Sequence, residues 1–379
     1  MEKVKLLDVC DVYQPQTIAT KQFVSDGAYT VYGANGPIGH YTKYNHKESE
    51  VLMACRGATC GAINVSEPYS WINGNAMVIH PKGVFPLSRK YLMYYLKYAN
   101  KDSIITGTAQ PQITRHNLRD FKIVVFDKEE QERIVARIEE LFSELDNGVE
   151  TLRKTKQQLA VYRQAVISTA FPKMNEDNTV RLDEIADITG GITKGRDLSK
   201  QETVYLPYLR VANVQNGYLD LTQMKTIEIK TNEVEKYLLR VGDVLYTEGG
   251  DRDKLGRGTV WRDEISNCVH QNHVFRARLD QTRAKPQYVA YWSMSAFARN
   301  YFYAKGKQSV NLASINKTVL SALSIPLPSI TEQDKVTQEI ESRLSVCDSI
   351  EKTVDTALRQ AEAMRQSILK QAFEGGYNG

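Results

Sequence analysis

The 379-residue chain has little of what defines several classes of protein. Its five cysteines are an odd number without a Cys-x-x-Cys pair, so we expect free thiols in a reducing cytoplasm rather than a disulfide framework. No stretch approaches the roughly 18 uninterrupted apolar residues that a membrane-spanning helix requires. The first eight residues contain two lysines and two acids and no apolar run, so no secretory signal is expected there.

The chain also lacks a strong excess of charge of one sign and the common catalytic motifs. Its 49 basic and 45 acidic residues give a net charge of +4, which neither demands nor excludes a nucleic-acid partner, because charge can be segregated between regions. It contains no Walker A loop, no Gly-x-Ser-x-Gly elbow, no His-Glu-x-x-His pair and no Asn-Pro-Pro-aromatic tetrapeptide. Neither a P-loop NTPase nor a base-methylating enzyme is therefore expected, and no catalytic residue is predicted.

What the sequence does contain is an internal repeat that covers most of its length. Glu130-Gln131 matches Glu332-Gln333, and from there about 40 residues align without a gap at an offset of 202, up to Phe171 and Phe373. Upstream matches keep the same order at shorter offsets, such as Leu7 with Leu182, Val51 with Val244 and Tyr91 with Tyr288. The pattern predicts two copies of a globular part followed by a long helix.

Both predicted helices show a seven-residue spacing of apolar side chains, which is typical of a coiled coil. Asp127 with Glu130 and Ser329 with Glu332 place a capping side chain three residues before an acid, and Phe171-Pro172 and Gly375-Gly376 are stop signals. A companion row contains Ile134, Leu141, Tyr162, Ile350, Ala357 and Met364. The predicted seam consists of Ile138, Leu145, Leu152, Leu159, Val166, Ile340, Cys347, Val354, Ala361 and Ile368.

Two such helices bury their narrow stripes most economically against each other, whereas the alternative is that each packs separately on its own globular part. The globular parts are predicted to be mixed α/β. Ala76–His80 and His273–Leu279 alternate like strands, and Pro86–Leu96 and Pro286–Trp292 are predicted helices with proline near the start. The fold class is therefore α+β, with two mixed domains and two long helices in an antiparallel coiled coil related by a pseudo-two-fold repeat.

Gly-containing loops rich in basic and amide side chains recur in both globular parts. Glycine permits close approach to phosphates, Lys and Arg neutralise them, and Arg, Asn and Gln can read base edges. Each loop alone could be an ordinary turn, but six of them on a repeated unit favour DNA recognition. The loops are Tyr32–Tyr41, Arg56–Gly61, Gly107–Arg115, Gly190–Arg196, Gly249–Gly258 and Lys305–Asn311. The predicted DNA-binding residues are Asn35, Lys43, Arg56, Gln110, Gln112, Arg115, Lys194, Arg196, Arg252, Lys254, Arg257, Gln271, Asn272, Lys307 and Gln308.

Two other groups of residues suggest weaker alternatives. Cys268, His270 and His273 are possible soft metal ligands, but they lack a second pair at zinc-finger spacing, so no metal site is predicted. Asp220, Glu228 and Lys230 loosely resemble the carboxylate–lysine site of a nuclease, without a counterpart in the first copy. A metal-dependent nuclease acting by itself, and a coiled-coil adaptor that binds only protein, remain the alternative functions.

Taken together, these features resemble the specificity (S) subunit of Type I restriction–modification enzymes. The resemblance lies in the segments that lead into the helices, Phe126–Gln131 and Pro326–Gln333, and in Tyr32–Gly36, Arg56–Gly61 and Gln271–Phe275. It implies target recognition domains at 1–126 and 173–328 and conserved helical spacers at 127–172 and 329–379. Because Phe121–Phe126 lacks the prolines of Leu323–Pro328, we expect the chain to bend differently into the first helix.

The resemblance also implies the function and the partners. The chain would be a non-catalytic subunit that reads a bipartite site in double-stranded DNA and binds two methyltransferase (M) subunits and restriction (R) subunits in the cytoplasm. S-adenosylmethionine, ATP and Mg²⁺ would be bound by those partners, and no cofactor is expected on this chain.

Overall fold

The computed structural model describes residues 2–107, 109–174, 178–308 and 312–374. The chain divides into two compact units. Unit 1 comprises Met1–Leu152 together with Asp355–Gly379, and unit 2 comprises Arg153–Val354. Each unit therefore contains one globular part and one half of each long helix.

Unit 1 is built from short strands, one medium helix and the two helix halves. Its strands are β1 (Glu2–Lys5), β2 (Cys10–Tyr13), β3 (Tyr29–Gly33), β4 (Gly36–Tyr41), β5 (Val51–Ala54), β6 (Ile63–Val65), β7 (Trp71–Ile72), β8 (Ala76–Pro81) and β9 (Lys122–Val125). Its helices are α1 (Leu6–Val9), α2 (Arg89–Tyr98) and the first part of the long helix α3 (Lys128–Thr169).

Unit 2 contains the same kinds of element and several additional ones. Its strands are β10 (Thr179–Arg181), β11 (Ala186–Gly190), β12 (Thr203–Leu209), β13 (Lys225–Lys230), β14 (Val244–Thr247), β15 (Gly249–Gly250), β16 (Gly258–Val260), β17 (Val269–His270), β18 (Val274–Leu279), β19 (Lys307–Gln308), β20 (Ala313–Ser314) and β21 (Ser324–Pro326). Its helices are α4 (Val234–Tyr237), α5 (Pro286–Met294), α6 (Ala296–Lys305), α7 (Lys317–Ser321) and the first part of the long helix α8 (Ile330–Glu374).

The sheets of the two units have the same topology. In unit 1 they are β2-β8-β5-β6, β4-β3-β7 and the pair β1-β9. In unit 2 they are β11-β18-β14-β16, β13-β12-β17 and β10-β21. In both three-stranded sheets the last strand runs parallel to the central one, and the register agrees as well, since Val51 opposes Ile79 where Val244 opposes Ala277. The internal repeat predicted from sequence is thus confirmed as a repeat of the fold.

Each hydrophobic core lies between the four-stranded sheet and the helices. In unit 1, Tyr91 of α2 and Ile134 of α3 are buried with the sheet, and Leu369 and Ala372 near the end of α8 belong to the same cluster. In unit 2, Tyr288 of α5 is buried with the sheet, and Phe171 packs on it with a ring-centroid distance of 5.2 Å. Burying a large apolar side chain contributes roughly 1.5–3 kcal/mol, so these contacts fix both ends of each long helix.

The start of each long helix is fastened by one buried glutamine. The side chain of Gln131 donates to the carbonyls of Pro86 and Phe126 and accepts from the backbone N–H of Ser88, at 2.7 to 2.8 Å. Gln333 makes the same three bonds, to Arg283, Pro328 and Lys285, at 2.8 to 3.0 Å. These bonds explain why the glutamine recurs in both copies. The two segments are held alike, so the different bend expected from the missing prolines is wrong: the glutamine bonds, rather than proline, fix the chain there.

The two capping predictions are also confirmed. The carboxylate of Asp127 accepts from the N–H of Glu130 at 2.8 Å, and the Ser329 hydroxyl donates to Glu332 at 2.7 Å. The first helix ends just before Phe171-Pro172, whereas the second stop signal, Gly375-Gly376, lies outside the described residues. The helix predicted from Pro86 begins only at Arg89, because Ser88 is extended and its N–H is bonded to Gln131.

The long helices pair in opposite directions within each unit. In unit 2, Arg163 of α3 contacts Asp348 and Glu351 of α8 at 2.6 and 2.9 Å. In unit 1, Arg365 of α8 forms an ion pair with Asp146 of α3. Within unit 2, Lys156 pairs with Glu351 and Arg163 pairs with Asp348, so the partner numbers fall along α8 as the residue numbers rise along α3, which is the antiparallel pairing predicted.

Each predicted seam residue is buried or half-buried in the structure. Seven are buried: Ile138, Leu159, Val166, Ile340, Cys347, Val354 and Ala361. The other three, Leu145, Leu152 and Ile368, are half-buried. The companion row is only partly right, since Tyr162, Ile350 and Met364 are 40 to 53% exposed. The seam is therefore buried along both helices, whereas these three companion residues remain in contact with solvent. Near the end of α8, Leu369 and Ala372 are buried in the core of unit 1.

Candidate nucleic-acid interface

Two of the predicted loops of unit 1 lie side by side. Arg56 forms an isolated antiparallel bridge with Gln112, and Gln112 forms a second one with Thr106. The N–H of Gly57 donates to the carbonyl of Pro111 at 3.0 Å. Arg56 and Gln112 are both exposed, so this arrangement presents a cationic fork and an amide on one surface.

The sequence of the second loop fits this geometry. Gly107 has a φ of +86°, and a Cβ atom there would lie 2.6 Å from the carbonyl oxygen of Gln110, so only glycine fits. Thr108 lies outside the described residues. Gln110 is exposed on the bend, and Arg115 is exposed in a turn in which the Asn117 side chain accepts from the N–H of Thr114 at 2.9 Å.

Two further candidates of unit 1 lie on another sheet. Asn35 is exposed in the tight turn between β3 and β4, and Lys43 is exposed just beyond β4. The Asn64 side chain of β6 donates to the carbonyl of Ala34 at 3.4 Å and so links this turn to the four-stranded sheet. The structure thus connects the turn with the sheet, but Asn35 and Lys43 do not belong to the bridges around Gln112.

In unit 2 the loop after β11 packs against β17 and the residues that follow it. Ile192 bridges Gln271, and the N–H of Asn272 donates to the carbonyl of Ile192 at 2.9 Å. A Cβ at Gly191 would lie 2.0 Å from the carbonyl oxygen of His270, which explains why this position is glycine. Gln271 and Asn272 are half-buried, whereas Lys194 is exposed.

Arg196, on the same loop, is half-buried rather than fully exposed. Its guanidinium forms an ion pair with Glu233 at 2.8 Å, and its Nε and Nη2 atoms are buried without a hydrogen-bond partner among the described residues. Its predicted contact with DNA stays a prediction, and that contact competes with the ion pair to Glu233.

The Gly249–Gly258 loop holds its three basic residues by different contacts. Arg252 stacks on the ring of Tyr303 with 4.3 Å between the guanidinium carbon and the centroid, and Lys254 pairs with Asp251 and lowers the pKa of that carboxyl. Arg257 donates to the Gln215 side chain at 2.9 Å. Arg252 is exposed, and Lys254 and Arg257 are half-buried, so Arg252 is the most accessible cation of the three.

The last two candidates lie in a small sheet that repeats the bridges of unit 1. Strands β15, β20 and β19 pair so that Gly249 opposes Ser314 and Ser314 opposes Lys307. In the repeat these positions correspond to Arg56, Gln112 and Thr106. Lys307 and Gln308 are exposed, whereas Ser309, Val310 and Asn311 of this loop lie outside the described residues.

Two residues beside this small sheet were missed as DNA-facing candidates. Glu248 directly follows β14, and its carboxylate hydrogen-bonds to His273. The sequence does not single them out, because an acid is not expected next to phosphates and the spacing of His273 from Cys268 suggests a metal ligand. In the repeat Glu248 corresponds to Cys55, the residue directly before Arg56, so its position beside a predicted DNA-binding loop can be derived from the sequence.

The structure gives the metal and nuclease alternatives no site. Among the residues that it describes, no group of three or more His, Cys, Asp and Glu side chains could hold a metal ion. Burial raises the pKa of the Cys268 thiol to about 12, so it is not a ready thiolate ligand or nucleophile. His270 is fully buried, and its Nδ1 atom is hydrogen-bonded to the carbonyl of Val274 at 2.7 Å. Asp220 accepts hydrogen bonds from Thr222, and Glu228 accepts one from Thr203.

A groove lies between the long helices and the globular part in each unit. In unit 1 it has a volume of about 260 Å³ and is lined by Lys97, Lys101, Phe142 and Arg365, among others. In unit 2 it has a volume of about 600 Å³, and its lining includes Met294, Leu344 and Arg163 at the corresponding positions of the repeat. The two copies thus share a groove but not its charge.

Comparison with known proteins identifies the family. The model of the Type I restriction modification DNA specificity domain matches residues 1–159 and 174–360. The chain belongs to this family. Among the curated relatives, the StySPI specificity subunit of Salmonella potsdam is 25% identical over 340 residues, covering 84% of this chain and 68% of the relative. The EcoKI specificity subunit of Escherichia coli is 24% identical over 306 residues, covering 73% of this chain and 62% of the relative.

Solved structures confirm the fold. A chain from a study of complex assembly and conformational transition of the type I R-M system matches with a TM-score of 0.71 at 17% identity, covering 99% of this chain and 97% of that one. The HsdS subunit from Thermoanaerobacter tengcongensis matches with a TM-score of 0.53 at 16% identity, covering 99% and 96%. The family model and the specificity-subunit relatives show a DNA-recognition subunit of the Type I specificity class, as the sequence predicts. None of the helices in the described part of the chain is long and apolar enough to cross a membrane.

Proposed function

We propose that this chain reads a bipartite site in double-stranded DNA, with one unit for each half of the site. The observation that supports this most is the repeated backbone pairing, which presents Arg56 opposite Gln112 in unit 1 and Lys307 opposite Ser314, the counterpart of Gln112, in unit 2. Exposed basic side chains neutralise phosphates, and amides and guanidinium groups can read bases. Since the side chains differ between the units, the two halves of the site differ in sequence.

The roles of the segments follow the internal repeat. We assign residues 1–126 and 173–328 to target recognition and residues 127–172 and 329–379 to the helical spacers. The chain itself supplies no chemistry in this proposal. It binds two methyltransferase subunits, because the repeat offers a similar helical surface twice, and restriction subunits join that core in the cytoplasm. S-adenosylmethionine, ATP and Mg²⁺ belong to those partners.

Methylome sequencing of cells that express the chain with its methyltransferase partner tests this function. The expected result is one methylated motif with two specific halves and an unread spacer. Arg56→Ala should relax only one half, since truncating a base-reading side chain costs about 1–3 kcal/mol of discrimination. Lys128→Ala, at an exposed residue at the start of α3, is the matched control and should leave the motif unchanged. A continuous motif, or no methylation above background, would contradict the proposal.

The spacer role of the helices can be tested separately. We would insert four residues after Lys156 and four after Leu358, at positions that correspond in the repeat. Each insertion lengthens a helix by about 6 Å and adds about 40° beyond a full turn. Because B-DNA rises about 3.4 Å per base pair, the unread spacer should grow by roughly two base pairs, with both half-sites unchanged. Altered half-sites with the original spacer would contradict a spacing role.

A further inference from the structure

The side chains of Glu248 and His273 are hydrogen-bonded to each other at the edge of the small sheet of unit 2. Nδ1 of His273 lies 2.5 Å from Oε2 of Glu248. The backbone beneath the pair is fixed on both sides, because the N–H of Glu248 donates to the carbonyl of His273 at 3.0 Å and the N–H of Ile315 donates to the carbonyl of Glu248 at 2.8 Å. One hydrogen bond therefore holds the carboxylate, and two more fix the backbone that carries it.

One oxygen of this carboxylate is available for a ligand. The Glu248 side chain is 28% exposed and that of His273 is 53% exposed. A carboxylate can only accept, so Nδ1 of His273 carries the proton and donates to Oε2. No described residue is hydrogen-bonded to Oε1 of Glu248, and Glu248 lines an open cleft of about 470 Å³ together with Val211, Leu312 and Ala313.

The corresponding place in unit 1 has the same backbone and different chemistry. The N–H of Cys55 donates to the carbonyl of Asn75 at 3.2 Å, and the N–H of Ile113 donates to the carbonyl of Cys55 at 3.0 Å. Cys55 is fully buried, and its thiol accepts a hydrogen bond from the Gln14 side chain at 3.0 Å. Unit 1 thus has a closed, neutral position where unit 2 has an open carboxylate.

We propose that Glu248 is a specificity-determining residue of unit 2, whose free carboxylate oxygen accepts a hydrogen bond from the exocyclic amino group of one base in the major groove. This rests on the proposed function. The amino group is N4 of cytosine or N6 of adenine, the donors that the major groove presents to an acceptor. A carboxylate near DNA is repelled by phosphates, so it lowers affinity for all sequences except those that supply this hydrogen bond. Lys307 and Arg252, both exposed in this part of unit 2, supply the opposite charge.

Three substitutions separate the hydrogen bond from the charge. Glu248→Ala removes the acceptor, Glu248→Gln keeps an acceptor oxygen without the charge, and Glu248→Cys introduces the residue that the same backbone holds in unit 1. Cys55→Ser in unit 1 is the matched control. Each variant is purified with its methyltransferase partner, and its affinity is measured on DNA in which every base pair of the methylated motif is changed in turn.

Glu248→Ala and Glu248→Cys should lose about 10- to 100-fold discrimination at one position of the second half-site and bind unrelated DNA more tightly. Glu248→Gln should keep most of the discrimination. DNA carrying 2-pyrimidinone in place of cytosine, or purine in place of adenine, lacks the amino group. At the position concerned, one of these two analogues should weaken the unaltered complex by the same factor and leave Glu248→Ala unaffected, which identifies the base.

The outcomes separate this inference from the proposed function. If Glu248→Ala discriminates at every position as well as the unaltered chain does, the assignment of Glu248 is wrong while the recognition function stands. The same conclusion follows if both analogues weaken Glu248→Ala as much as the unaltered complex. If the unaltered complex itself prefers no sequence, the proposed function fails.

Discussion

Units 1 and 2 have the same sheet topology, yet their equivalent surface positions differ in chemistry. Gln131 and Gln333 make the same three bonds, and Tyr91 and Tyr288 each donate to a backbone carbonyl at 2.8 Å. By contrast, Cys55 is replaced by Glu248, and Lys97 by Met294. The buried Gln and Tyr side chains make hydrogen bonds that no other residue replaces, so they hold the same backbone in both units. The loops on that backbone can therefore differ, and with them the DNA sequence that each unit reads.

The second unit also has structure that the first lacks. The turn between β3 and β4 is two residues long, whereas residues 210–224 separate β12 from β13. Helix α6 follows α5, and its Tyr303 provides the ring on which Arg252 stacks. These insertions lie between strands whose pairing is unchanged, which accounts for the offset that grows along the sequence.

The largest expected effect comes from breaking the element that the units share. Gln131→Leu leaves two carbonyls and one N–H without their partner in a buried place, and each such group costs about 1–3 kcal/mol. We expect unit 1 to lose at least about 3 kcal/mol, and Gln333→Leu to do the same to unit 2. Hydrogen exchange of the β5 and β14 amides measures each unit separately.

Glu129→Ala and Thr331→Ala, at exposed residues two positions before each glutamine, are the matched controls and should change neither rate. If either glutamine variant instead speeds up amide exchange equally in both units, the units do not unfold independently. That result would contradict the expectation that each glutamine stabilises its own unit.

The sequence predicts the long helices and the internal repeat better than it predicts the candidate DNA-binding surface. Local hydrogen bonds and heptads predict α3 and α8, and the Glu-Gln repeat marks their starts, although the reason for the glutamine lies in Pro86 and Arg283, about 45 to 50 residues away. Loop composition identifies Arg56 and Gln112 but does not predict their bridge. Nor does it predict that Arg196 pairs with Glu233, because both contacts join segments far apart in the chain.

A pH-dependent difference between the units is expected from His270, which occupies the place of Ile72 in unit 1. Burial lowers its pKa to about 4, and only Nδ1 has a partner, the carbonyl of Val274 at 2.7 Å. The unfolded chain takes up a proton below its ordinary pKa of about 6.5, whereas folded unit 2 does not. The stability of unit 2 should therefore be complete above pH 6.5 and fall by up to about 3 kcal/mol toward pH 4.

His270→Ile should remove this pH dependence and make unit 2 resemble unit 1. Urea unfolding followed by tryptophan fluorescence in a Trp71→Phe background reports on unit 2, because Trp261 and Trp292 are the other two of the three tryptophans. A pH profile that is identical with and without the substitution would mean that other groups cause the loss at low pH.

The smallest expected effect concerns Arg163 and Arg365, which occupy corresponding positions in α3 and α8. Arg163 contacts Asp348 and Glu351, whose side chains are 71% and 37% exposed, and such exposed ion pairs contribute at most about 1 kcal/mol. Arg365 pairs with Asp146 and also lies 4.9 Å above the ring of Phe142, which adds roughly 0.5–1 kcal/mol. Arg365→Met should therefore lower the free energy of unfolding in urea slightly more than Arg163→Met does.

Salt separates the two contributions. In 1 M salt the stability loss from Arg163→Met should nearly vanish, while part of the loss from Arg365→Met remains, because salt screens exposed ion pairs more than ring contacts. Equal costs that salt leaves unchanged would show that packing of the side-chain stems, rather than charge, stabilises both positions.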